Sequence, residues 1–263
     1  MRAVALSCRR AILDALFASG GGHYGGALSV VDILLALYDG VPGPGADRQA
    51  VGERVILSKG HAAIALYAVL AHHGRIEPSR LAAYGALGAG LEGHPDMATN
   101  PEVDFSTGSL GLGLGAGLGM ALARRDRGVW VVLGDGECQE GAVWEAALVA
   151  ERYRVGNLHA VVDHNRVQEI GFGLRPGLET DPVPRLAAKF EAFGWATVAV
   201  DGHDFEQLLP AIAAVRAGRD RPTAVIAATV KGRGVPRFEA EPERYHCATL
   251  SAAEHAQALA AVR

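Results

Sequence analysis

Two short runs, Val129-Trp-Val-Val-Leu133 and Leu158-His-Ala-Val-Val162, are apolar at nearly every position. A strand with one wet face alternates apolar and polar side chains. Unbroken apolar runs of this length instead suit strands covered on both faces, as in the parallel sheets of α/β proteins. Further β-branched runs lie at Val55–Leu57, Ala196–Val200 and Ala224–Thr229. Alanine-rich segments of helical character fall between them, notably Val143–Tyr153 and Phe205–Ala217. This alternation predicts an α/β fold with a mostly parallel sheet and helices on both faces. At the N-terminus Val4, Cys8, Ile12, Leu13, Leu16 and Phe17 recur at the spacing of a surface helix. No fixed-period repeat or linker divides the chain, and the Pro/Gly-rich Val41–Gly45 reads as a loop, so residues 1–263 are expected to form a single domain.

A chain of 263 residues can bury a substantial core. Its net charge of −4 is spread over both signs without a long basic run, which disfavours nucleic-acid binding and an electrostatic membrane anchor. The cysteines Cys8, Cys138 and Cys247 form no C-x-x-C pair and suggest no disulfide framework. Arg9-Arg10 precedes an apolar stretch, as in a twin-arginine signal, but Asp14 breaks that stretch before it can span a bilayer. A reduced, cytoplasmic protein is expected.

In parallel sheets ligands bind beyond the carboxyl ends of the strands. Gly134-Asp135-Gly136 directly follows one apolar run and Asp163-His164-Asn165 follows the next. Asp135 offers a carboxylate and Asn165 an amide oxygen, both donors for a hard cation such as Mg²⁺ that bridges protein to phosphate. The flanking glycines permit a sharp turn and close approach of backbone to a diphosphate. Ser106–Gly115 is rich in glycine, and Gly111-x-Gly113-x-x-Ala116 also fits a dinucleotide fingerprint, with Asp135 as the ribose-binding acid of an NAD-dependent dehydrogenase. Against that alternative, Ser106-Thr-Gly-Ser109 is a poor strand ending, and a ribose acid explains neither the glycines around Asp135 nor Asn165.

The order of several motifs decides further. His23-Tyr24-Gly25-Gly26-Ala27-Leu28-Ser29, Leu57-Ser58-Lys59-Gly60-His61-Ala62, Gly93-His94-Pro95-Asp96, Ser106–Gly111, Gly134–Gly141, Val230–Val235 and Tyr245-His246 follow one another along the chain. Together they resemble the N-terminal half of transketolase, nearly end to end. The resemblance implies a thiamine-diphosphate-binding fold of the diphosphate type. It makes Asp135, Asn165 and the Val167 carbonyl the ligands of Mg²⁺, with Ca²⁺ or Mn²⁺ as substitutes. It places His61, Gly108, Ser109, Leu110, Gly134, Asp135, Gly136, Glu140, Asn165 and Lys231 against the cofactor. His23, His61, His94 and His246 become the catalytic histidines lining the substrate channel, while His72, His73, His159, His164, His203 and His255 are left as structural or surface residues. The family commonly has Pro at the position of Tyr24 and Gln at that of Leu112; both changes are expected to border the cofactor or substrate surface.

The implied activity is transfer of a two-carbon ketol unit from a ketose phosphate to an aldose phosphate. A carrier protein or lipoyl group in a specialised pathway is an alternative acceptor. A further alternative is a non-catalytic scaffold role. The glutamate that serves the pyrimidine N1′ in this family lies on a following domain, beyond Arg263. The resemblance therefore implies a partner, the C-terminal pyrimidine-binding subunit, in an α2β2 assembly. Glu140 and Glu145 match the family's interface glutamates; helix-start carboxylates favoured by the dipole are the plainer reading.

Overall fold

The computed structural model describes residues 1–39, 52–169 and 181–262. Val41–Gly45 lies outside these. Helices α1 (Arg2–Ala18) and α2 (Tyr24–Asp39) precede strand β1 (Arg54–Leu57) and helix α3 (Ala63–His72). Then follow α4 (Leu112–Ala123), β2 (Val129–Gly134), α5 (Gly141–Arg152) and β3 (Leu158–His164). The last third comprises α6 (Leu186–Ala192), β4 (Ala196–Asp201), α7 (Phe205–Ala217), β5 (Thr223–Ala228), α8 (Pro236–Ala240) and α9 (Ala252–Ala261).

The strands lie in the order β1-β2-β3-β5-β4, with every pair parallel. All five coincide with the expected runs to within a residue or two. The two-residue period of a strand then divides the core. Trp130, Val132 and Val161 point into a layer with α1, α2, α3 and α7, whereas Val131, Leu133 and Val162 point into one with α4, α5 and α6. Helices do cover both faces.

Two local differences have physical causes. Helix α5 begins at Gly141, two residues before the apolar pattern starts, with Glu140 preceding it and giving no side-chain cap. In α1 the expected apolar face also buries Arg9, which is only 4% exposed because it meets Asp32 of α2. No described helix is long and apolar enough to cross a membrane.

Candidate active site

The parallel register sets Gly134 of β2 beside Asp163 of β3, and Asp163 beside Ala227 of β5. Asp135 and Asn165 therefore leave neighbouring strands at the same edge of the sheet. Asp135 is buried; its Oδ1 accepts the Gly136 N–H at 2.8 Å and its Oδ2 the Arg166 N–H at 2.5 Å. Burial and the nearby Asp163 charge push the Asp135 carboxyl up to about 6. Arg166 takes a left-handed backbone (φ 64), and the Asn165 Oδ1 accepts the Val167 N–H at 3.1 Å.

A carboxylate whose charge is disfavoured by burial and by a second acid suits a divalent cation. No group of three or more His, Cys, Asp or Glu able to hold an ion occurs among the described residues. The donor set at this edge is instead one carboxylate, one amide oxygen and one backbone carbonyl, which leaves positions on a hard cation for phosphate oxygens. The site thus fits a cation that arrives with a diphosphate. The Val167 carbonyl accepts from Lys231 Nζ at 2.8 Å, and a carbonyl oxygen carries two lone pairs.

Beside these residues a cleft of about 420 Å³ opens, lined by His23, His61, His246, Lys231, Gly108 and Leu110 among others. The ring centroids of His23, His61 and His246 stand 5.2 to 5.7 Å apart. Burial lowers the pKa of all three, followed by neighbouring cations and rings; His246, next to Lys231, falls to about 3. Lys231 Nζ lies 2.6 Å from His246 Nδ1, and burial, with Lys59 nearby, lowers its own pKa to about 8. At neutral pH the cluster is three neutral imidazoles around one ammonium.

Of the residues selected from sequence, Gly134, Gly136, Glu140 and Asn165 also line this cleft. Ser109 and His94 are exposed and do not. His94 stands beside Gly108, where an added Cβ would lie 3.7 Å from the imidazole. Its loop is held by Tyr67 Oη donating to the His94 carbonyl at 3.3 Å and Tyr84 Oη donating to that of Gly93 at 3.5 Å. Tyr24 is not among the residues lining this cleft. It is fully buried in a T-shaped contact with Phe238, and burial pushes its phenol up to about 12. Leu112 is 57% exposed on α4 and is absent from the cleft lining.

Gly113 and Gly117 of α4 are explained by packing rather than by a dinucleotide. No strand leads directly into Gly111, the preceding one being β1, and a Cβ at Gly113 would lie 2.2 Å from Ser58 Oγ, one at Gly117 2.5 Å from Val131. They let α4 lie against the sheet.

Three buried residues in the quoted stretches carry more of the site than their sequence context discloses. Asp163 accepts from Lys59 Nζ at 2.5 Å, Ser29 Oγ at 2.6 Å and Thr229 Oγ1. Burial opposes its charge, but Lys59 and these hydrogen bonds outweigh it and lower its pKa. Lys59 also donates to the Gly26 carbonyl at 3.0 Å. Glu137 accepts from Ser58 Oγ and from the Gly111 and Gly134 N–H groups at 2.5, 2.9 and 3.0 Å, tying the glycine-rich turn to the end of β2. Asp163 ends an apolar run, while Lys59 and Glu137 stand among polar and glycine residues; none of the three positions names its partners.

Comparison with known proteins agrees with this geometry. Residues 2–262 match the family model described as transketolase, thiamine diphosphate binding domain. The chain is 35% identical over 235 residues to the 6-deoxy-6-sulfo-D-fructose transketolase subunit SqwG of Clostridium sp., covering 86% of this chain and 83% of that protein. It is 41% identical over 241 residues to transketolase-like protein 2 of Bos taurus, covering 89% of this chain but only 38% of that protein. Among solved structures, transketolase from Pichia stipitis in complex with sedoheptulose-7-phosphate superposes with a TM-score of 0.87 at 27% identity, over 97% of this chain and 40% of that one.

Proposed function

The chain belongs to the transketolase family, and on that premise we propose that it is the diphosphate-binding subunit of a two-chain transketolase. In this reading it takes part in moving a two-carbon ketol unit from a ketose phosphate to an aldose phosphate. One observation carries it: Asp135 and Asn165 share a strand-end cleft with His23, His61, His246 and Lys231. Relatives of similar length, SqwG and an apulose-4-phosphate transketolase chain of Phocaeicola vulgatus, are themselves named as subunits. A partner bearing the pyrimidine-binding domain, in an α2β2 assembly, completes the proposal, with residues 1–263 acting as one domain.

Asp135, Asn165 and the Val167 carbonyl would hold Mg²⁺ against the diphosphate. Bound thiamine diphosphate supplies the nucleophilic carbon on which the two-carbon unit is carried. Lys59 is committed to Asp163, so Lys231 is the ammonium left to meet a phosphate, and an anion there would keep it protonated. Each neutral imidazole has one N–H donor and one acceptor nitrogen. His23, His61 and His246 can therefore orient the hydroxyls of a donor sugar and pass a proton without holding a net charge. His94 would join them at the channel entrance.

Calorimetry tests the anchoring. The wild-type chain should bind thiamine diphosphate only with Mg²⁺, and Asp135→Ala should abolish binding while retaining a native circular dichroism spectrum. Unchanged affinity in Asp135→Ala would sink the metal assignment.

A further inference from the structure

His203 carries no motif in the sequence, yet its side chain sits in a relay that reaches the backbone one residue before Lys231. Its Nδ1 lies 2.7 Å from Asp32 Oδ2, and its Nε2 accepts the Val230 N–H at 2.9 Å. Since an N–H can only donate, Nε2 carries no proton and the ring's hydrogen is on Nδ1, aimed at the carboxylate. Arg9 grips that carboxylate with two nitrogens, at 3.2 and 2.5 Å. The side chains of Arg9, Asp32 and His203 are 5%, 4% and 7% exposed, while the Val230 end of the relay lies at the surface.

The far end of the relay is the Thr229–Val230 peptide, one residue before Lys231. On the other side of that lysine, the Gly232 N–H donates to the Gly25 carbonyl at 3.0 Å. Gly232 holds φ +80 with Phe238 so close that a Cβ would lie 2.7 Å from it. One hydrogen bond on each side thus restrains the backbone that flanks Lys231. Helix α2 supplies both anchors, through Gly25 near its start and Asp32 in its middle. The same helix gives the Gly26 carbonyl to Lys59 and Ser29 Oγ to Asp163. Residues 26, 29 and 32 are three apart and share a face.

We propose that His203 is a positioning residue for Lys231, acting through the Val230 N–H, with Asp32 fixing its tautomer and Arg9 fixing Asp32. It touches neither cofactor nor substrate. The proposal rests on the reading of Lys231 as a diphosphate contact, so its test needs one readout that does not involve cofactor.

Two variants separate positioning from space-filling. His203→Gln can place an amide oxygen near Nε2 and keep an acceptor for Val230, whereas His203→Leu fills similar volume and offers none. The chain has three lysines, Lys59, Lys189 and Lys231, so labelling of each by an amine-reactive reagent can be followed by peptide mass spectrometry. Without cofactor, His203→Leu should raise the labelling rate of Lys231 several-fold while Lys59 and Lys189 keep wild-type rates; His203→Gln should stay near wild type. In calorimetry with Mg²⁺ and thiamine diphosphate, His203→Leu should bind about ten-fold more weakly, ~1.4 kcal/mol, and His203→Gln should recover most of the loss. Wild-type labelling of Lys231 in His203→Leu, or equal changes at all three lysines, would overturn the proposal. Raised Lys231 labelling in His203→Leu, alongside a wild-type chain that binds no thiamine diphosphate, would instead leave the relay standing and remove the functional reading beneath it.

Discussion

His159 lies on β3 with 2% exposure, its ring 4.5 Å from that of Trp130 and its Nδ1 without a partner. Burial, with Arg219 and Arg216 nearby, lowers its pKa from 6.5 to about 3. Because the folded value is depressed, the unfolded chain binds the proton first; this group's stability contribution is present above pH 6.5 and is lost as pH falls toward 3. At ~1.4 kcal/mol per unit the loss is on the order of 5 kcal/mol. Urea unfolding of His159→Phe at pH 7 and pH 4.5 should show a smaller acid penalty than wild type. An identical penalty would place the acid sensitivity elsewhere, for instance at His246. The Lys59–Asp163 pair makes a second expectation at this scale. Lys59→Met leaves Asp163 buried without its ammonium, and breaking such a pair costs about 3–5 kcal/mol. Chemical denaturation should read that loss, and Lys59→Met with Asp163→Asn should recover part of it. These residues also mark the limit of what the sequence discloses. Asp135 and Asn165 stand out because glycines and strand ends frame them. Asp163 does not, since its partners Lys59 and Ser29 are 104 and 134 residues away. Tyr24 shows the converse: its place in a motif points to the cleft, while its burial under Phe238 comes only from tertiary packing.

At the scale of elements, α4 offers a matched pair of substitutions. Gly113→Ala drives a Cβ to 2.2 Å from Ser58 Oγ, and such overpacking costs about 1–3 kcal/mol. Gly115→Ala on the same helix meets nothing within 4 Å and should stabilise by up to ~1 kcal/mol through helix propensity. Thermal melts of the two variants should move in opposite directions; parallel shifts would mean that α4 does not pack on Ser58 as described. The strands are legible in the sequence because residues covered on both faces must be apolar. Their order is not, since β5 lies between β3 and β4 and nothing local in either run encodes its neighbour. The start of α5 is hidden for a related reason: Glu140 leaves no capping signature, so only the apolar period can be read.

For the whole molecule the expectation concerns company. Leu110 at the cleft, Leu112 on α4 and Leu148 on α5 are 39%, 57% and 55% exposed. Exposed large apolar side chains of this kind suit a protein interface. The purified chain with saturating thiamine diphosphate and Mg²⁺ should show negligible ketol transfer, and adding a pyrimidine-domain partner should restore it. Sustained turnover by this polypeptide alone, with contaminating partner excluded by mass spectrometry, would refute the two-chain reading.

Helix α2 has one more consequence. It sets the spacing of the Lys59 and Lys231 anchors by helical rise, about 9 Å from residue 26 to residue 32. A loop would let that spacing breathe with temperature; a fully buried helix behaves as a ruler. Lengthening it by a single residue between Gly26 and Asp32 would turn the distal mark by about 100°, so the gauge tolerates changes of side chain far better than changes of length.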